Sequence, residues 1–94
     1  MRTMFPYSYN VSASFDVVEY TKTVEILDRN LPKDMQRVPF YDFLDGTRIM
    51  KFIKPGTTVK VYCDWNIGAV FVDSDIDLGE ILSLPNINEK RGSL

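Results

Sequence analysis

The chain contains no histidine and only one cysteine, Cys63, among its 94 residues. Without histidine there is no Ser–His or Cys–His nucleophile pair and no imidazole general base. Zinc sites built on histidine or on several cysteines are excluded as well. One cysteine cannot close an internal disulfide, whereas small secreted domains commonly carry several. A reducing, cytoplasmic setting is therefore expected. The five glycines are scattered and form no Gly-rich phosphate loop, so no nucleotide cofactor is expected. No apolar run approaches the roughly 20 residues of a membrane span, and Met1 to Pro6 contain no signal-peptide core. Excess charge is scarce too. Thirteen acidic and 11 basic residues leave a net charge of −2, which argues against strong field-driven binding to phosphate backbones. An enzyme would have only carboxylates and lysines for its chemistry, so a non-enzymatic role is expected.

What is present suits one small globular domain. The apolar fraction is 45% and the charged fraction 26%, ordinary values for a folded chain. A chain of this length buries roughly 60–65% of its unfolded surface, enough for one modest core. The domain is expected over residues 1–85, with 86–94 as a polar, flexible tail.

Residues 7–15 alternate, with Tyr7, Tyr9, Val11, Ala13 and Phe15 on one parity and Ser8, Asn10, Ser12 and Ser14 on the other. Period two predicts a strand with one wet face. Over 16–31, Val17, Tyr20, Val24, Leu27 and Leu31 draw one helical stripe. Ser14 or Asp16 is available as N-cap, and Pro32 as stop. The β-branched residues Val17, Val18, Thr21, Thr23, Val24 and Ile26 argue for a strand instead. Asp45-Gly46, between apolar runs, predicts a two-residue hairpin with Leu44 opposite Thr47 and Phe43 opposite Arg48. Pro39 suits a strand start or edge. Lys54-Pro55-Gly56-Thr57 has the type II pattern, which matches strand twist poorly and predicts a looser corner. Residues 57–63 alternate, with Thr57, Val59, Val61 and Cys63 on one face. Residues 67–73 are apolar on both faces and read as a central, doubly covered strand. A short helix is expected within 75–84, capped by Ser74 or Asp75 and stopped by Pro85. No internal repeat is evident.

These elements predict an α+β fold: a single small domain with an antiparallel β-meander of four to five strands and one packed helix. If 17–27 is strand, the alternative is a small all-β barrel, OB- or SH3-like.

The candidate sites are few. Cys63 shares a face with Val59 and Val61 and reads as core rather than as a reactive thiol. Asp73, Asp75 and Asp77 alternate like the opening of a calcium loop. The glycine falls at loop position 7 instead of 6, and position 12 is Leu84 instead of Glu, so no metal site is expected. The hairpin joining 57–63 to 67–73 is expected to turn through Asp64-Trp65-Asn66, with Asn66 taking the left-handed conformation. That leaves the single tryptophan at a loop tip, either folded back on the sheet or exposed. Tryptophan is enriched in binding hot spots. Trp65, Asp64, Asn66, Asp73 and Asp75 are therefore the expected partner-binding residues of a protein-binding module, an inhibitor or regulator whose acidic edge meets a basic patch. Its small, acidic, cysteine-poor composition is similar to that of phage-encoded inhibitors of host factors, a likeness of composition alone. A second expectation is a single-stranded nucleic-acid binder using Tyr62, Lys60, Phe52, Arg48 and Lys51, since aromatics interleaved with cations suit stacked bases. A third is a structural or assembly subunit, joined as a homo-oligomer through sheet edges.

Overall fold

In the computed structural model, residues 5–87 are described. The element order is β1 (Tyr7–Ser12), α1 (Val17–Asn30), β2 (Gln36–Tyr41), β3 (Arg48–Lys54), β4 (Thr57–Asp64), β5 (Ala69–Ser74) and α2 (Gly79–Leu82). One five-stranded antiparallel sheet runs β1-β5-β4-β3-β2. It does not close into a barrel, because β1 and β2 stay at opposite edges. The fold is thus α+β, a meander of β2 to β5 to which β1 is added beside β5.

The stretch that decides the fold class is helix. The Asp16 carboxylate accepts from the Glu19 amide as N-cap, and the backbone turns extended at Leu31. Tyr20, Thr23, Leu27 and Leu31 are buried, while Val18 and Thr21 are exposed. The strand preference of the β-branched residues loses on magnitude. Helix propensities differ by under about 0.7 kcal/mol per residue. Burying one Leu-sized side chain contributes about 1.5–3 kcal/mol. Arg37 of β2 fixes the far end of α1, donating to the Asp28 carboxylate and to the Pro32 and Met35 carbonyls.

Helix and sheet enclose the core. Tyr9, Phe52, Val59, Val61, Cys63, Val70 and Val72 are fully buried on the sheet face that α1 covers, together with Leu27 and Leu78. The alternation of β4 is the expected one, with Val59, Val61 and Cys63 inward. Pro39 lies on the edge strand β2. The Asp42 amide donates to Thr47 across from β2, so even-numbered residues of this strand face β3 and the missing donor of Pro39 falls on the open side.

The connections depart from expectation. Pro55-Gly56 makes a tight two-residue hairpin instead of a loose corner: Lys54 pairs with Thr57, and Gly56 takes the positive φ of 79°. The Asp45-Gly46 hairpin exists, but its register moves by two. Tyr41 stands opposite Arg48, and Phe43 to Gly46 form a four-residue loop. The carboxylates of Asp42 and Asp45 hold this wider loop by accepting from the Leu44 and Thr47 amides. The β4–β5 loop is also longer than expected, running Trp65 to Gly68 between Asp64 and its partner Ala69. Gly68, not Asn66, takes the left-handed position, and Ile67 sits in the loop rather than in β5. The strand expected to reach residue 15 ends at Ser12, after a bulge at Val11. α2 is one turn, without a side-chain cap. Ser74 is engaged with the backbone of Ile76, and Asp75 with that of Thr58. Asn86 and Ile87 bond to the backbone of Ser8; the rest of the expected tail lies outside the described residues. No helix among the described residues is long and apolar enough to cross a membrane.

Candidate functional site

Three connections gather at one end of the sheet: the β1–α1 link, the β2–β3 loop and the β4–β5 loop. The two loops have the same construction. In each, a glycine amide donates at 2.8 Å to the carbonyl of an aspartate four residues earlier, Gly46 to Asp42 and Gly68 to Asp64. Both glycines have positive φ, 81° and 71°, where a side chain is strained. Each aspartate also folds its carboxylate onto an amide within its loop, of Leu44 or of Ile67. An aromatic residue follows each aspartate, Phe43 or Trp65. The shared pattern, Asp-aromatic-x-x-Gly, is the repeat that periodicity at element length does not reveal. It was legible at five-residue scale.

The loops lean on one another. The Trp65 amide donates to Thr47 Oγ1 at 3.0 Å. Phe15, from the β1–α1 link, meets the Trp65 ring edge-to-face at 5.2 Å between centroids. Its ring tip also lies where a Cβ on Gly46 would touch it, 3.5 Å away. Phe15 thus wedges between the two tips. On the other side, Tyr41 holds Phe43 edge-to-face at 4.8 Å, and the Arg48 guanidinium lies over the Tyr41 ring and donates to the Gly46 carbonyl.

Large apolar side chains remain uncovered on this scaffold. Leu44 is 96% exposed, Phe43 87%, Ile67 63% and Trp65 57%. The tryptophan is therefore both folded back, on Phe15, and more than half exposed. Sequence reasoning placed Phe43 and Leu44 in strand register and Ile67 in the core of β5, so it found one of the four.

The other expected partner residues divide. Asp64 and Asn66 flank Trp65. Asp73 and Asp75 do not join them, because they lie at the other end of β5. Asp73 is buried opposite Lys60 and accepts from Ser8 Oγ at 2.7 Å. The Asp75 carboxylate accepts from the Thr58 amide, and Asp77 accepts from Tyr9 Oη and the Gly79 amide. The carboxylates that resembled a calcium loop are engaged by β1, by β4 and by the start of α2. Among the described residues no group of three or more Cys, Asp or Glu side chains is placed to hold a metal ion.

The nucleic-acid set divides as well. Arg48 pairs with Cys63 and Phe52 with Val59, so even-numbered residues of β3 share the helix-covered face with odd-numbered residues of β4. Phe52 is consequently core, and Arg48 turns to the Tyr41 side. Lys51, Lys60 and Tyr62 stay together on the open face. There Tyr62 stacks on Phe71 at 4.4 Å and 14°, and Lys60 lies over the Phe5 ring.

Cys63 is fully buried. Burial pushes its thiol above the ordinary value, outweighing a hydrogen bond with the Asp16 backbone and the nearby Arg48 charge. Thiolate is scarce at neutral pH in such a site. A groove of about 340 Å³ beside β1 and β5 is lined by Ser8, Tyr9, Asn10, Ile67, Asp73 and Ile87 among others. Comparison with protein-family models, with curated proteins and with solved structures finds no match for the chain.

Proposed function

We propose that this protein is a non-enzymatic binding module that docks on another protein through the two loop tips, acting as an inhibitor or regulator by occupying its partner's surface. One observation carries the reading. Asp and Gly specify the conformation of both loops, yet the loops also carry Phe43, Leu44, Trp65 and Ile67, which contribute little to the core. Exposed apolar side chains lower solubility, and clustered ones mark interaction sites. Aromatic anchors ringed by polar groups are the usual source of binding energy at protein interfaces. A cytoplasmic setting goes with this reading, supported by the free, buried Cys63.

The test compares three folded proteins as bait in a lysate: wild type, Phe43→Ser with Leu44→Ser, and Trp65→Ala. A polypeptide retained by wild type and lost from both variants is the expected result. Identical lanes would overturn the reading.

A second reading has its own observation, the Tyr62–Phe71 stack with Lys51 and Lys60 on the open face. Such a platform suits the bases and phosphates of single-stranded nucleic acid. An oligonucleotide bound at low salt, released steeply by added salt and lost in Lys51→Ala with Lys60→Ala, would establish it.

A further inference from the structure

We infer that the surface that receives the loop tips is an apolar cleft rimmed by lysine and arginine on a different protein, and not a second copy of this chain. The inference rests on the docking role of the tips and adds the chemistry of the partner.

Four aspartates stand at this end: Asp16, Asp42, Asp45 and Asp64. Each uses one carboxylate oxygen as a local acceptor. Asp16 takes the Glu19 amide, Asp42 that of Leu44, Asp45 that of Thr47 and Asp64 that of Ile67. An asparagine side-chain oxygen fills each of these places as well, since Asn and Asp are near-equivalent as N-caps and in Asx turns. The fold thus needs four acceptors and no negative charge. The cation held within these loops, Arg48, is half-buried over the Tyr41 ring and donates to the Gly46 carbonyl, so one positive charge stands against the four carboxylates.

The apolar side chains are arranged inside this charge. The two loops are separated by the β3–β4 pair, so their tips stand about 10 Å apart, two strand spacings. Phe43 and Leu44 form one knob, Trp65 and Ile67 the other. Self-association through this end would press four aspartates against four more, and like-charge juxtaposition selects against such a pairing. A cleft with an apolar floor and a basic rim satisfies both the knobs and the charges, and the charges speed its encounter.

Two probes and one variant test this. The probes are amphipathic peptides of alternating leucine and lysine pairs, or of leucine and glutamate pairs. The variant is Asp16→Asn, Asp42→Asn, Asp45→Asn and Asp64→Asn together, with Asp45→Asn and Asp64→Asn alone as a milder form if the quadruple variant fails to fold. Binding is read from Trp65 fluorescence and from loop amide resonances. The Leu/Lys peptide is expected to perturb both signals in wild type and to bind the quadruple variant roughly tenfold more weakly, as four exposed ion pairs imply. The Leu/Glu peptide is expected to leave both unmoved. Equal response to the two peptides, no response to either, or unchanged affinity in the Asn variant overturns the inference. So does a concentration-dependent dimer whose loop amides shift, strengthened by salt. The failures are separable. A knob-dependent partner in the lysate comparison with no Leu/Lys binding sinks only the basic rim; identical lysate lanes sink the docking role itself.

Discussion

The two ends of this small sheet use aspartate in opposite ways. At the end that carries the Pro55-Gly56 turn, Asp73, Asp75 and Asp77 reach far along the chain, to Ser8, Thr58 and Tyr9. There the carboxylates tie together β1, the start of β4 and the segment after β5. At the loop end, Asp16, Asp42, Asp45 and Asp64 accept only from amides two or three residues away. These shape turns and join no distant parts. Proximity along the chain therefore misleads at one end and is missing at the other. The acids that are neighbours in sequence staple the fold, while the scattered ones converge beside uncovered apolar side chains.

The largest expected difference between the ends is in stability. Leu78 is fully buried beyond β5, and Leu78→Ala should cost about 2–5 kcal/mol through lost burial and the cavity left behind. Phe43→Ser with Leu44→Ser should change stability by no more than about 0.5 kcal/mol, as at ordinary exposed positions. Urea denaturation of the three proteins measures both. Comparable losses would mean that the tips belong to the core and would break the contrast.

That contrast also marks what the sequence could convey. The helix over 17–30, the inward face of β4 and the hairpin nature of the β2–β3 and β4–β5 connections follow from periodicity and turn chemistry, whereas the tight turn at Pro55-Gly56 does not. Loop lengths did not follow. Asp-Gly and Asp-Trp-Asn predict short turns on their own, but Asp42 and Asp64 each accept the amide of a glycine four residues on, and this wider closure moves Phe43, Leu44 and Ile67 out of the strands. Facing was also hidden. Whether Phe52 joins Tyr62 depends on the register across the Pro55-Gly56 turn, which a single strand's alternation does not contain. Trp65 was legible because a lone tryptophan next to turn residues is conspicuous. Its companions became visible only once both loops closed.

A smaller effect isolates the stapled end. Tyr9 Oη donates to Asp77 and accepts from the Leu78 amide at 2.7 Å, inside the core. Tyr9→Phe removes both bonds with little change of shape and orphans that amide, at a cost of about 1–3 kcal/mol. Binding through the tips should be unchanged once the variant is folded. A loss of stability below a few tenths would show that water replaces the hydroxyl, and a loss of binding would couple the two ends. The second result would sharpen the comparison into a functional link, carried by the sheet between them.

The smallest effect is one of pH, and it follows from the same hydroxyl. Burial is the main cause that raises the Tyr9 phenol above its ordinary value, and burial pushes Tyr20 up to about 12. A free tyrosine titrates near 10. Above that pH the unfolded chain releases these protons while the folded chain keeps them, so deprotonation favours unfolding. The stability held by the neutral phenols is complete below pH 10 and is lost as the pH climbs through the folded values. Wild type should therefore weaken from about pH 10 upward, and Tyr9→Phe should weaken less steeply. Denaturation midpoints across this range, followed beside tyrosinate absorbance, decide the matter. An equal slope in both proteins would place the alkaline loss on Tyr20, on the buried face of α1, and would free the Tyr9–Asp77 staple from any part in it.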